Sequence, residues 1–272
     1  NATVFYIFGG IMKFLKITSI ASFIFFLSFG FSANSQELHG ILCGGEIRQA
    51  DMDVAAEFES ANPGVTIKWE AVPWGTCQDK VINLAIAGDP VDLAYVGSRT
   101  LKGLAENGHI INVDIPQSQI DMYQPGILNT VSHMGKVWGY PRAFSTKALF
   151  MNCDLLEQAG VACEGPKTWD ELYTMAEAVT NNVPGVAGIG LTGKDFDNTM
   201  HQFLNYLYSN GGQVIDPDTN TITLNSSNAV EALAFYGKLA NVAQEGPLAY
   251  ERSQLRDLLN DKKIAMYIDG PW

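Results

Sequence analysis

The stretch Gly135-Lys-Val-Trp-Gly-Tyr-Pro-Arg-Ala-Phe-Ser-Thr-Lys-Ala-Leu-Phe-Met-Asn-Cys-Asp154 decides how the rest of the chain is divided. Gly139 and Pro141 disfavour helix in its first half, while Val137, Trp138, Tyr140, Phe144, Leu149, Phe150 and Met151 favour extended backbone. At about 3.3 Å per residue, the run from Lys136 to Asn152 reaches roughly 50 Å, against the ~20 Å of an ordinary strand. A single domain has little use for such a strand. Interrupted by Pro141 and carrying the small polar Ser145 and Thr146, the segment reads as a ribbon that leaves one domain, residues 36–143, and enters a second, residues 144–272. Ligand sites favour such junctions.

Upstream, the first 35 residues hold two lysines and no acidic residue. Met12 is the expected start, Lys13 and Lys16 form a positive n-region, and Ile17 to Phe31 is an apolar run. Ala33-Asn34-Ser35 then offers small residues to a signal peptidase. Residues 12–35 are therefore read as a cleavable signal peptide and residues 1–11 as non-native upstream sequence. The apolar run is about five residues short of the roughly 20 that span a bilayer. Removing residues 1–35 moves the net charge from −12 to −14, which excludes nucleic acid as partner. With 47% hydrophobic and 17% charged residues, the remainder can bury a substantial core.

From Leu38 to Gly108 one theme repeats three times: an apolar run, a polar or Gly-rich corner, then a helical pattern. Leu38–Cys43 leads to Gly44-Gly45-Glu46 and a helix face of Val54, Phe58 and Ala61. In the second run Val65, Ile67, Trp69 and Ala71 alternate with Thr66, Lys68 and Glu70; Pro73-Trp74-Gly75 follows, with Val81, Ile82, Ala85 and Ile86 on the next helix. Val91–Val96 leads to Gly97-Ser98-Arg99 and then Leu101, Leu104 and Ala105. Three such units make an α/β sheet whose corners all follow strand carboxyl ends.

Beyond the ribbon, a helix over Asp154–Ala159 precedes a capping box at Thr168 and Glu171 that opens a helix to about Thr180. Val186–Leu191 reads as a strand, Asp197–Tyr208 and Val230–Val242 as helices. A helix around Leu255–Leu259 leads into the strand Ile264–Ile268, closed by Asp269-Gly270-Pro271-Trp272. A chain that stops there is expected to be C-terminally incomplete.

Gly188 to Lys194 nearly matches a phosphate-binding loop, but Asp195 replaces the magnesium-binding hydroxyl, so a strand-to-loop corner is preferred. Asp216, Asp218 and Asn220 have calcium-loop spacing, yet Thr221 and Ser227 stand where Gly and Glu are required, so a turn is expected. His39, His109, His133 and His201 are scattered without metal spacing, and no nucleophile elbow exists. The even set Cys43, Cys77, Cys153 and Cys163 in an exported chain reads as disulfides. Local pairing, Cys43 with Cys77 and Cys153 with Cys163, is the simplest of three connectivities.

The ordered stations Phe58-Glu-x-x-Asn-Pro-Gly64, Val72-Pro-Trp-Gly75, Ala87-Gly-Asp-Pro-Val-Asp-Leu-Ala-Tyr95 and Gly139-Tyr-Pro141 continue through Ala148-Leu-Phe-Met-Asn152, Pro166-Lys-Thr-Trp-Asp-Glu-Leu172, Gly211-Gly212 and Ala265-Met-x-Ile-Asp-Gly-Pro-Trp272. With them the chain resembles the bacterial extracellular solute-binding proteins of family 1, the maltose-binding-protein-like carbohydrate receptors of ABC importers. The resemblance implies an α/β type II periplasmic-binding-protein fold: two lobes, each a mixed sheet flanked by helices, joined by hinge strands and closing over a solute. It implies a monomeric periplasmic binder, not an enzyme, without cofactor or metal, that hands a sugar or oligosaccharide to ABC permease subunits. The matching ligand positions are Glu46, Trp74, Ser98 and Arg99 in the first lobe, and Phe144, Ser145, His201 and Trp272 in the hinge and second lobe. Val96 departs from the aromatic that maltose-binding members carry. Two alternatives stay open: a phosphorylated polyol or other small anion in the same fold, favoured by Arg99 and Arg142, and an exported glycan-active enzyme.

Overall fold

A computed structural model describes residues 35–271. Residues 1–34, which include all of the expected signal peptide 12–35 except its last residue, and Trp272 lie outside the described residues. The chain forms two units, one running to Pro116 and taking in Thr130–Gly139, the other made of Gln117–Asn129 and Tyr140 onward. The division thus falls at Gly139–Tyr140, within the long ribbon but ahead of the expected boundary at residue 143. Gln117–Asn129 also belongs with the second unit. A reading that cuts the sequence once cannot register this excursion, because its short helices carry no long apolar period.

The first unit is built from β1 (Gln36–Cys43), α1 (Gln49–Ala61), β2 (Val65–Val72), α2 (Trp74–Ile86), β3 (Leu93–Tyr95) and α3 (Ser98–Glu106). Its sheet has the order β2-β1-β3 and is parallel throughout, with Gln36 opposite Val65, Cys43 opposite Val72 and Ile41 opposite Ala94. A mixed sheet was expected. A helix between each pair of strands returns the chain to the same end and makes parallel pairing the outcome. Ile41, Cys43, Val72, Cys77, Val81 and Leu104 form the core.

The expected inner face of α1 is not the one buried. Val54 is 66% and Phe58 43% exposed, whereas Ala55 is 6% exposed. Glu59 on the Ala55 side accepts the Ile67 N–H at 2.6 Å. β2 is an edge strand among the described residues, and its outward amide needs an acceptor; the carboxylate supplies one and sets the helix rotation. Ile86, assigned inward at the end of α2, is 67% exposed.

The short helices α4 (Gln117–Ile120) and α5 (Pro125–Thr130) form the excursion, and β4 (Ser132–His133) with β5 (Lys136–Val137) makes a hairpin. Met134 and Gly135 turn it with φ of 50° and 71°. The ribbon is therefore not continuous. It starts as a hairpin arm, runs irregularly past Pro141 and becomes a strand only at β6 (Ala148–Met151).

The second unit continues with α6 (Cys153–Gln158), α7 (Trp169–Asn182), β7 (Ala187–Gly190), α8 (Asp197–Ser209), the hairpin β8 (Ile215–Asp216) and β9 (Thr221–Ile222), α9 (Ser227–Lys238), α10 (Arg252–Asn260) and β10 (Ile264–Asp269). Its sheet is mixed, in the order β6-β10-β7, with β10 antiparallel to β6 and parallel to β7. Thr168 caps α7 by accepting the Glu171 N–H at 3.1 Å, while the Glu171 carboxylate takes the Lys167 N–H at 2.6 Å. Val179, Ala176, Ile189, Leu239 and Met266 are wholly buried between sheet and helices. α7 lies directly on β7 because Gly188 has no side chain: a Cβ there would sit 1.9 Å from the Ala176 carbonyl oxygen.

Candidate functional site

Parallel strands carry their carboxyl ends to one edge, so in the first unit Gly44–Glu46, Pro73–Trp74 and Val96–Ser98 share that edge. The Cys43–Cys77 disulfide, with Cα atoms 5.4 Å apart, ties the first corner to α2. The N–H groups of Gly44 and Gly45 both donate to the Val72 carbonyl at 3.0 Å, which holds the loop bearing the exposed Glu46 against the end of β2. Trp74 opens α2, half-buried, its ring centre 6.1 Å from that of Tyr95. The bare side of Gly97 faces this ring: a Cβ there would lie 3.5 Å from Trp74 Cζ2 and 3.8 Å from Gln78 Oε1. Gln78 Oε1 accepts the Gly97 N–H at 3.0 Å. Ser98 and Arg99, both exposed, then start α3.

In the second unit the carboxyl ends of β7 and β10 lie beside the start of β6, because β6 runs the other way. Lys147, just before β6, places its Nζ 3.2 Å from Asn198 Oδ1 and 3.4 Å from Asp269 Oδ1. Burial lowers the Lys147 pKa, and the Asp269 carboxylate works against that shift. Asn198 Nδ2 donates to the Tyr267 hydroxyl at 3.3 Å, and Gln202 Nε2 to the Ile268 carbonyl at 3.0 Å. His201 Nε2 lies 3.6 Å from Asp197 Oδ1, one turn earlier on α8. Phe144, 70% exposed, and Ser145, also exposed, precede Lys147 in the irregular part of the ribbon. Trp272 falls outside the described residues.

In the first unit Glu46, Trp74, Ser98 and Arg99 follow strand carboxyl ends, where Gln78 joins them. In the second, Phe144 and Ser145 precede β6 and His201 lies on α8. Lys147, Asn198 and Asp269, which sequence reasoning did not single out, meet beside the start of β6 and the end of β10. Gln78 was within reach, since it stands one helical turn after Trp74. Asp269 was read only as part of a turn.

The rival motifs resolve structurally. In the would-be phosphate loop the Leu191 N–H donates to Gln244 Oε1 at 3.0 Å, the Thr192 N–H to Gln202 Oε1 at 3.4 Å and the Lys194 N–H to the Tyr250 carbonyl at 3.3 Å. Those amides are engaged, and α8 begins only at Asp197. Asp216 Oδ1 accepts the N–H groups of Asp218 and Thr219 at 2.9 and 3.3 Å, which makes the acidic triplet a side-chain-capped turn and lowers the Asp216 pKa. Among the described residues no group of His, Cys, Asp and Glu is arranged to hold a metal ion. A second-unit groove of about 580 Å³ is lined by Trp169, Tyr206, Asn205 and Ser209. It lies toward the far end of α8, and Ser209 Oγ already accepts the Trp169 indole N–H at 3.2 Å.

The model of the bacterial extracellular solute-binding protein family matches residues 44–272. The chain belongs to that family. A Brucella abortus relative is 30% identical over 230 residues, 81% of this chain and 54% of that one; the chain spans about half the length of the curated relatives it matches. Among solved structures, the GacH receptor of Streptomyces glaucescens, studied with acarbose, is 27% identical with a TM-score of 0.76, covering 88% of this chain and 61% of the receptor. An ABC transporter solute-binding protein of Thermotoga lettingae bound with α-D-tagatose is 25% identical, also with a TM-score of 0.76, covering 88% of this chain and 63% of its own. Both proteins are described by what they bind, and the fold they share with this chain is the α/β type II periplasmic-binding-protein fold.

Proposed function

We propose that the chain is the receptor component of an ABC importer. It is exported to the periplasm, binds a sugar or oligosaccharide reversibly through the strand-end residues of its units, performs no chemistry on it and delivers it to a membrane permease. The observation that carries this reading is the first-unit edge, where the Trp74 ring and the Gln78 amide meet the bare side of Gly97, and the exposed Ser98 follows at the start of α3. A flat apolar face flanked by groups that donate and accept complements a pyranose ring and its hydroxyls. Kinship with receptors described in complex with acarbose and tagatose supports the same ligand class. A small anion is the second reading, because exposed Arg99 stands in the first turn of α3, where the positive end of the helix adds to its charge.

Calorimetry with maltose, acarbose, tagatose, ribitol, mannitol, arabino-oligosaccharides and glycerol 3-phosphate tests both, with chromatography of the recovered ligand. Saturable binding of an uncharged member, recovered intact, is expected. Exclusive binding of glycerol 3-phosphate would install the anion reading, and a cleaved sugar would make the protein an enzyme. Export is tested separately by N-terminal sequencing of periplasmic material, which should start at or near Gln36.

A further inference from the structure

We propose that Gln78 is a specificity-determining residue of this site, its side-chain nitrogen donating a hydrogen bond to one hydroxyl of the bound sugar. The inference rests on the sugar-receptor reading. Gln78 stands four residues after Trp74 and shares its helix face. Its Oε1 accepts the Gly97 N–H at 3.0 Å, which fixes which end of the amide is oxygen. Nε2 is the other arm of that amide, so it sits beside the Gly97–Ser98 corner. That nitrogen is buried and has no hydrogen-bond partner among the described residues. A buried amide nitrogen without an acceptor is destabilising and calls for an explanation. The Trp69 indole nitrogen is in the same condition, but Trp69 pairs with Gly40 inside the sheet rather than at its end. The Gln78 donor stands instead at the strand-end edge, four residues after Trp74, where a ligand is expected. The nitrogen is covered in this structure, and the Trp74 ring shares the bare side of Gly97 with the Gln78 amide. A sugar seated on Trp74 therefore has to displace what covers this donor in order to accept from it.

A site built to hydrogen-bond a particular hydroxyl discriminates against the analogue lacking it. The test takes the full-length protein, the tightest-binding sugar of the calorimetric panel, and its monodeoxy and deoxyfluoro analogues. Wild type should bind one monodeoxy analogue about tenfold more weakly than the parent. Gln78→Met should lose that preference at the same hydroxyl alone; an equal weakening toward every analogue would mean that Gln78 merely positions Gly97 and would overturn the proposal. Gln78→Glu keeps an oxygen for the Gly97 N–H but requires the hydroxyl to donate, so the matching deoxyfluoro analogue, which can only accept, should be disfavoured relative to wild type. Should neither variant fold, wild type still decides, since equal affinity for all monodeoxy analogues refutes a specific donor. Wild type that binds no sugar in the panel overturns the receptor reading itself, and this inference with it.

Discussion

Lys147 Nζ lies 3.4 Å from Asp269 Oδ1, joining the residue that leads into β6 to the residue that ends β10. The two side chains are only 16% and 6% exposed. Asn198 Oδ1 takes a further proton of the ammonium at 3.2 Å. Removing one partner of such a pair leaves the other charge in a poorly solvated place, whereas removing both is far milder. Lys147→Met should therefore cost about 2–4 kcal/mol at neutral pH, and Lys147→Met with Asp269→Leu should recover much of that loss. Urea denaturation of the two single variants and the double variant measures the coupling. Strictly additive losses would show that the pair contributes nothing as a pair.

Gly188→Ala should be among the most damaging single substitutions in the second unit. Its methyl group would meet the Ala176 carbonyl oxygen at 1.9 Å, and that oxygen belongs to helix backbone, which has no rotamer to change. Separating α7 from β7 should cost about 3 kcal/mol or prevent folding. Gly126→Ala, where nothing lies within 4 Å of the added carbon, is the control in a thermal melt.

The two disulfides should differ in worth. Cys43–Cys77 closes 34 residues and Cys153–Cys163 closes 10. Chain entropy then gives about 4 and about 3 kcal/mol respectively. Paired Cys→Ala variants, melted with and without reductant, should rank in that order, and a larger loss from the short loop would point to native-state packing instead.

The β2 alternation, the Thr168–Glu171 cap and the Cys153–Cys163 pair were legible because each is set by residues close together in the chain. The Cys43–Cys77 pair was legible because the repeated strand-corner-helix theme puts both cysteines at the ends of neighbouring strand units. The buried face of α1 was not legible. Val54 and Phe58 are the more apolar choice, and only the position of the Ile67 amide explains why Ala55 and Glu59 face inward. The Lys147–Asp269 pair spans 122 residues, and nothing near either residue signals the other. Gln78 lay in between: its spacing from Trp74 was visible, but its value as a donor depends on Gly97, 19 residues away.

Alkaline pH should destabilise the second unit through its buried tyrosines. Burial raises the pKa of Tyr206 and Tyr267 well above the usual 10.0 and pushes Tyr236 up to about 12. A raised folded-state pKa gives stability that is complete below the unfolded value and is lost as pH climbs from about 10 toward the folded value. Lys147 acts in the opposite sense: its pKa is lowered below 10.5, so its contribution becomes more favourable with rising pH up to that point. Stability should therefore hold up to about pH 10 and then fall. Tyr206→Phe should blunt the fall at little neutral-pH cost, and phenolate absorbance should appear together with loss of structure. Tyrosine ionisation that precedes unfolding would contradict this.

Phe144 separates ligand contact from structural support more cleanly than Trp74, the other described aromatic expected at the site. Its side chain is 70% exposed in an irregular stretch, so it has little packing to lose. Trp74 is different: its ring meets Tyr95 and packs against the first-unit core, so Trp74→Ala should lower both melting temperature and sugar affinity. Phe144→Ala should leave unfolding free energy within about 0.5 kcal/mol of wild type. If the exposed ring stacks on a sugar face, its loss should weaken binding by about tenfold, since aromatic contacts of this kind are worth about 1–1.5 kcal/mol. Phe144→Tyr keeps the stacking face and should restore most of the affinity, which a steric or conformational effect of the alanine would not predict. Calorimetry on the three proteins decides: unchanged affinity in Phe144→Ala removes this residue from the site, whereas a fall in affinity that tyrosine reverses, at constant stability, assigns its ring to the ligand.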